Sequence, residues 1–437
     1  MDQSPLSLVQ KGQSDPFNAY SIKIDARVNQ IMTFYRDSVM PLLFEGPAFV
    51  EAKKVSWKDI VNGLEAPGSA YCYLARNSAA AAIVAPSTEL AKQTYMYQAR
   101  STKALREYLN QESSIILSRR TVLWIFTLFD AEVMARNLPG AVAHGGMLVR
   151  YYKAQSERGP VDLTTLTSVL FSDLNLACLF LIRPLFDYQN WIPRVCGPVF
   201  DAVESKIPAP LLGISGGTSD LSVRNEKLAA ILKQRRRTDT IRALMFKGTD
   251  QMPLPVLLWI TIRSMLDLAA LLHLYLDYVD FFEKSVDASQ ESKVQAYLAL
   301  ATIYLLRLQR YNKVLHGIRL YESGLQMSSQ IQQLLTEEAA CADYNAEEFA
   351  NARLWALFIG AYGEQMPLRD RPEPNKAWFN INFVEQVRQM GLTSWEEIRA
   401  ILEGFIFNDS MTPPGSQWPF NSLAAVLERP GQAILQR

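Results

Sequence analysis

Apolar residues recur at helical spacing from Arg27 to the end of the chain, and no series of alternating strands with hairpin turns interrupts them. That periodicity restricts the fold class to all-α. The expected architecture is an irregular multi-helix bundle or solenoid-like array, with an extended N-terminal arm over residues 1–24 and one helical region over 25–437. No internal repeat of fixed period is present, so a regular solenoid of a known repeat type is not expected. The pattern predicts helices over 27–44, 89–111, 120–137, 140–153, 163–182, 220–236, 255–282, 291–308, 327–338, 346–362, 379–390 and 395–407.

Some stretches say more about placement. Arg120 to Phe129 is apolar nearly all round, which a helix tolerates only when other elements cover most of it, so this segment belongs at the centre. Ser394-Trp395-Glu396-Glu397 reads as a capping box that starts the last helix, with Trp395, Ile398, Ile401, Leu402 and Phe405 on one face. Residues 206–220 concentrate Pro, Gly and Ser, which makes them the candidate break between two lobes, and a second break lies at 365–375.

The chain has 437 residues, 49% apolar and 20% charged, enough to bury a sizeable core. Lys plus Arg and Asp plus Glu both number 44, so no global field draws the protein onto nucleic acid or an anionic membrane. The opening residues lack an apolar run behind a basic start, and an intracellular protein is the expectation. Cys72, Cys178, Cys196 and Cys341 are far apart in apolar settings, as free buried thiols would be. The most apolar stretch, 254–279, carries Arg263, Asp267, His273 and Asp277, which with Asp280 share one helix face; it reads as a helix packed in protein, not a membrane span.

Chemistry-bearing patterns are few. His144, His273 and His316 are scattered, no two cysteines stand at zinc-ligand spacing, and there is no Gly-x-Ser-x-Gly elbow. The glycines of 213–217 lack the Lys-Ser/Thr ending of a phosphate loop. Asp277 and Asp280 fall on one helix face, and Asn408-Asp409-Ser410-Met411-Thr412 begins like the second metal motif of terpene synthases. That motif wants a Glu where position 416 is Ser, and Pro413-Pro414 would break its helix. No catalytic residue, metal ligand or cofactor is assigned. The densest charge run is Lys233, Arg235, Arg236 and Arg237, with Arg242 following: either a solvated helix end complementing the dipole, or a patch for nuclear import or phosphate contact.

In chain order the segments resemble a family, the helical regulatory region of fungal-specific zinc-cluster transcription factors, over about residues 15 to 410. The resemblance runs from Asp15-Pro16-Phe17 and Tyr20 through Tyr35 to Pro41. It continues in Leu123-Trp124-Ile125-Phe126, Phe129, Glu132, Asn137 and Ala141 to Leu148, then in Phe171-Ser172-Asp173, Ala177, Arg183-Pro184, Phe186-Asp187 and Trp191. A last block comprises Leu354 to Ala361, Trp378-Phe379, Gly391 to Glu397 and Phe405 to Asp409. Such factors carry a six-cysteine zinc cluster ahead of this region; here the first cysteine is Cys72.

The resemblance implies a nuclear protein, shuttling with the cytoplasm or not, that controls genes of a metabolic pathway. It would act through other transcription regulators or a DNA-binding partner, as a homo- or heterodimer, and touch DNA only indirectly. An effector ligand is not identified by any residue. An all-α enzyme of the terpene synthase type and a helical scaffold remain the alternatives.

Overall fold

The computed structural model describes residues 20–40, 58, 60, 62–84, 87–111, 117–205, 207, 216–246, 254–285, 288–311, 324–364 and 377–407. Among them the chain forms fourteen α-helices and no strand. They are α1 (Ala26–Phe34), which continues for one turn as a π-helix over Tyr35–Val39, α2 (Pro67–Val84), α3 (Thr88–Gln111), α4 (Arg119–Met134), α5 (Leu138–Arg158), α6 (Leu163–Phe180) and α7 (Trp191–Glu204). Then follow α8 (Glu226–Phe246), α9 (Leu254–Lys284), α10 (Gln290–Tyr311), α11 (Gly324–Glu338), α12 (Ala350–Glu364), α13 (Trp378–Gln389) and α14 (Trp395–Glu403). Most of the expected arm, most of 206–220, the break at 365–375, His316 and the motif at 408–412 lie outside the described residues.

Helices close in sequence pack on one another. α2 lies against α1, α3 and α4; α4 meets α5 and α6; α6 crosses to α9. α9 also packs on α7, α8 and α10, α10 on α11 and α12, and α12 on α13 and α14. One apolar core runs through this array from Ile22 to Ile406, with a small satellite of Val203, Ile207, Ile241, Val256, Trp259 and Ile260 under α7, α8 and α9. The apolar segment of α4 is central, as expected: Ile125, Leu128 and Phe129 are fully buried. The described end of the arm is fastened, because Ile22 and Ile24 are buried and Ser21 donates through both N and Oγ to the Leu64 carbonyl.

Two helices were not predicted. α2 opens on Pro67-Gly68-Ser69, which reads as loop, and is buried on almost every side, so no polar stripe marks its period. α7 carries Pro193 in its first turn, where no backbone N–H is required, and Pro198 inside. α8 also departs from expectation. It starts at Glu226 and runs to Phe246, so the basic run lies mid-helix and the reading as a solvated helix end is wrong. Ahead of it, Asp220 N donates to the Gly404 carbonyl, Asn351 donates to the Asp220 carboxylate, and Gln295 Oε1 accepts from the N–H groups of Arg224 and Asn225. The described end of the candidate break is therefore tied to α10, α12 and the segment after α14.

Several residues that carry the resemblance fasten one helix to another. Trp124 Nε1 donates to Ser101 Oγ at 2.7 Å, and Ser101 donates to the Gly68 carbonyl at 2.8 Å, which joins α4, α3 and α2. Asn137 bonds the Glu132 carboxylate across the α4–α5 turn and caps α5. Gly145 of α5 lets the next layer approach: a Cβ there would lie 2.4 Å from Leu185 Cδ1 and 3.0 Å from the Phe129 ring. Ser172 donates to Asp130, and the buried Asp173 carboxylate accepts the backbone N–H groups of Leu185 and Phe186 at 2.9 and 3.2 Å, fixing the α6–α7 connection.

A second such knot lies near the C-terminus. Trp355 stacks on Phe405 at 5.2 Å between centroids and donates through Nε1 to the Ile406 carbonyl, while Phe358 packs on Phe383, Trp395 and Phe407. The capping box at Ser394 and Glu397 is present in full. Glu364 supplies the start of α13, accepting from the N–H groups of Phe379 and Asn380.

α6 and the Val256–Lys284 part of α9 are long and apolar enough to cross a membrane, and about half of each is buried inside the array. The polar face of α9 is divided between two neighbours. Arg263 lies over the Phe200 ring at 5.0 Å and the buried Asp267 faces Arg235, whereas His273, Asp277 and Asp280 meet Arg183.

Candidate functional site

The basic run of α8 does not present a continuous cationic surface. Its members fall at widely different angles round the helix, and two of them turn inward. Arg235 is buried and makes a bidentate pair with Asp239 one turn on, Nε–Oδ2 at 2.9 Å and Nη2–Oδ1 at 2.8 Å. Arg236 donates to the carbonyls of Gly216, Gly404 and Phe405 and to Ser219 Oγ, so its guanidinium fastens α8 to the end of α14. A cation there also complements the helix dipole of α14. Burial pushes the Arg236 guanidinium below its usual value. Arg237 is half-buried, and Lys233 and Arg242 are exposed.

The acid pair of α9 is ion-paired. Arg183, from the connection after α6, reaches Asp277 Oδ1 at 2.9 Å and Asp280 Oδ2 at 2.7 Å, with its other Nη 3.2 Å from His273 Nδ1. Burial and the adjacent Arg183 charge together lower the His273 imidazole from its ordinary value. Among the described residues no group of three or more His, Cys, Asp or Glu side chains is arranged to hold a metal ion. The four cysteines are free thiols, with Cys72, Cys178 and Cys196 buried. Burial pushes Cys72 up to about 12 and Cys196 up to about 11, far from the thiolate that nucleophilic chemistry requires. His144 is buried on α5, and burial lowers its imidazole.

A concave site does exist, at a place the sequence did not mark. A groove of about 390 Å³ lies between the start of α1, α2 and α3. Its apolar floor is Ile22, Val28, Leu74, Tyr71, Met96 and Tyr97, with Tyr71 and Tyr97 stacked at 6.0 Å between centroids. Two acids line it, and both have partners. Asp25 caps α1 by accepting from the N–H groups of Arg27 and Val28, and Glu89 Oε1 accepts from Arg27 Nη1 at 3.0 Å and Gln93 Nε2 at 3.2 Å. Three further cations, Lys23, Lys92 and Arg100, line the same groove and are exposed. The signal for it in the sequence is a stripe on α3, where Glu89, Lys92, Gln93, Met96, Tyr97 and Arg100 recur at helical spacing. Nothing in that stripe says which helix lies opposite.

Comparison with protein-family models, with curated proteins and with solved structures gives no match.

Proposed function

We propose that this chain is a helical regulatory protein of transcription that acts through protein partners and reaches DNA through them. The observation that supports the reading is the mutual packing of the residues carrying the family resemblance. Gly145 packs on Phe129, Asn137 bonds Glu132 and Asp173 bonds the backbone of Phe186, while Trp355 stacks on Phe405 and Phe358 packs on Trp395. The alternative reading as a magnesium-dependent all-α enzyme wants Asp277 and Asp280 open to a metal and a diphosphate. Arg183 occupies both carboxylates instead.

The test is chromatin occupancy of the tagged chain in its native host, with its location scored in the same cells. Nuclear signal with discrete occupied sites is the expected result. Exclusion from the nucleus with no occupied site overturns the proposal.

A further inference from the structure

Arg263 and Asp267 stand one turn apart on α9, at the spacing that lets a base and an acid on one helix pair. Yet Asp267 Oδ2 and Arg263 Nε are both buried without a hydrogen-bond partner. The Arg263 guanidinium lies instead over the Phe200 ring of α7 at 5.0 Å and over the Trp259 ring at 5.9 Å, a contact that holds α7 to α9. Asp267 is only 6% exposed, so water offers its carboxyl little in place of a partner. Two groups of opposite charge, within reach of each other and both unsatisfied, show one of two arrangements open to the pair.

The surroundings of Asp267 decide between them. Among the described residues, the charged groups that act on it are Arg263 on its own helix and Arg235 and Asp239 on α8, while α6, α7 and α10, also packed on α9, bring none. Arg235 is committed to Asp239 by its bidentate pair at 2.8 and 2.9 Å. A neutral Asp267 carboxyl therefore leaves Arg263 on the rings. An ionised one is a buried anion that needs a cation and a donor, and Arg263 is the neighbouring cation that pairs with no other carboxylate among the described residues. Burial pushes Asp267 up to about 7, which puts the change of charge near neutrality.

We infer that Asp267 and Arg263 form a proton-operated catch between α7 and α9. With Asp267 protonated, Arg263 rests on Phe200 and holds α7. When Asp267 gives its proton to solvent, Arg263 turns along α9 to the carboxylate and leaves Phe200, and α7 loosens. The inference goes beyond the role in transcription and does not rest on it, since it concerns the purified chain alone.

Hydrogen exchange and fluorine NMR of the purified full chain, labelled with fluorotryptophan, test it. The Trp259 resonance, assigned by Trp259→Phe, should shift with a midpoint between about pH 6 and pH 8 as Arg263 leaves its ring. The amides of α7 should exchange about threefold faster or more at pH 8 than at pH 6, after correction for the intrinsic rate. Asp267→Asn should hold both readings at their low-pH values, and Arg263→Gln should make α7 exchange fast at both pH values. His273→Gln, which removes another titrating group of α9, should change neither response. A Trp259 resonance that does not move, a titration that survives Asp267→Asn, or equal protection of α7 at the two pH values overturns the inference. The two pH values are compared on the unaltered chain, so the matter is decided even where a substitution disturbs folding.

Discussion

Arg353 and Glu338 make a buried ion pair whose loss has a calculable cost. Glu338 is fully buried at the end of α11, and Arg353 on α12 is 8% exposed. The carboxylate accepts from Arg353 Nη2 and from Arg353 Nε at 3.2 Å, and from Gln290 Nε2 at 2.8 Å. Gln290 in turn donates to the Asn345 carbonyl and accepts from Asn345 N, so the cluster closes α10, α11, the 339–349 segment and α12 upon one another. Arg353→Met removes both charge-assisted bonds and leaves Oε2 bare, for which about 3–5 kcal/mol is the usual cost.

The destabilisation should be near 4 kcal/mol as an order of magnitude. Glu338→Gln on the Arg353→Met background removes the stranded charge and should restore part of the loss, with a coupling of about 1–3 kcal/mol. Urea unfolding followed by tryptophan fluorescence measures both variants against the wild type. A loss under about 1 kcal/mol, or no recovery in the double variant, refutes the reasoning.

Other perturbations follow from the same structure. Arg236→Ala frees the carbonyls of Gly404 and Phe405 and should lower stability by about 1–3 kcal/mol, with Lys a poor substitute because it cannot span several acceptors; thermal melting reads it. Lys233→Ala/Arg242→Ala should stay within about 0.5 kcal/mol per site of wild type, yet move the tagged chain out of the nucleus if these residues serve import. Gly360→Ala forces a Cβ to within 2.0 Å of Phe379 Cδ1, so α12 and α13 must part at a cost of about 1–3 kcal/mol, seen as a lowered urea midpoint. Burial pushes Asp267 and Asp173 each up to about 7. Unfolded, each ionises near its ordinary value of about 3.9, so the folded state holds the extra protons in between. Their contribution is complete below about pH 4 and lost as pH rises through 7. The melting temperature should therefore fall between pH 5 and 8 on their account, and Asp267→Asn should flatten that fall.

Helices were legible in the sequence where an apolar stripe or a long apolar run marks them. α3 announces itself by apolar spacing, α4, α10 and α12 by apolar runs that the structure buries on every side, and Ser394 with Glu397 marks the start of α14 by a bond pattern the structure contains. α2 carries neither cue, because it opens on Pro67-Gly68-Ser69 and Arg76, Asn77 and Ser78 interrupt its apolar residues although all three are buried. Side-chain roles were less legible still. Arg236 and Lys233 sit in one run of cations, and only the position of α14 decides that Arg236 is an internal tether and Lys233 is not. Asp277 and Asp280 share a helix face in the sequence, but nothing local shows that their partner is Arg183, almost a hundred positions away. The groove needs three helices and the 20–24 segment together, and no local pattern records their meeting.

Many of the residues that carry the resemblance are residues of packing and of internal hydrogen bonding. Trp124, Gly145, Asp173 and Trp355 each fasten one helix or connection to another. Agreement at such positions constrains architecture, because substituting any of them opens a cavity or strands a polar group. It constrains function far less, since what a helical array binds is set by the exposed faces. Substitutions in the packing knots would abolish regulation by unfolding the chain and would discriminate nothing. The informative positions are exposed and leave the core intact: exchange of Lys233 and Arg242 on α8 tests the proposed nuclear location without disturbing the packing.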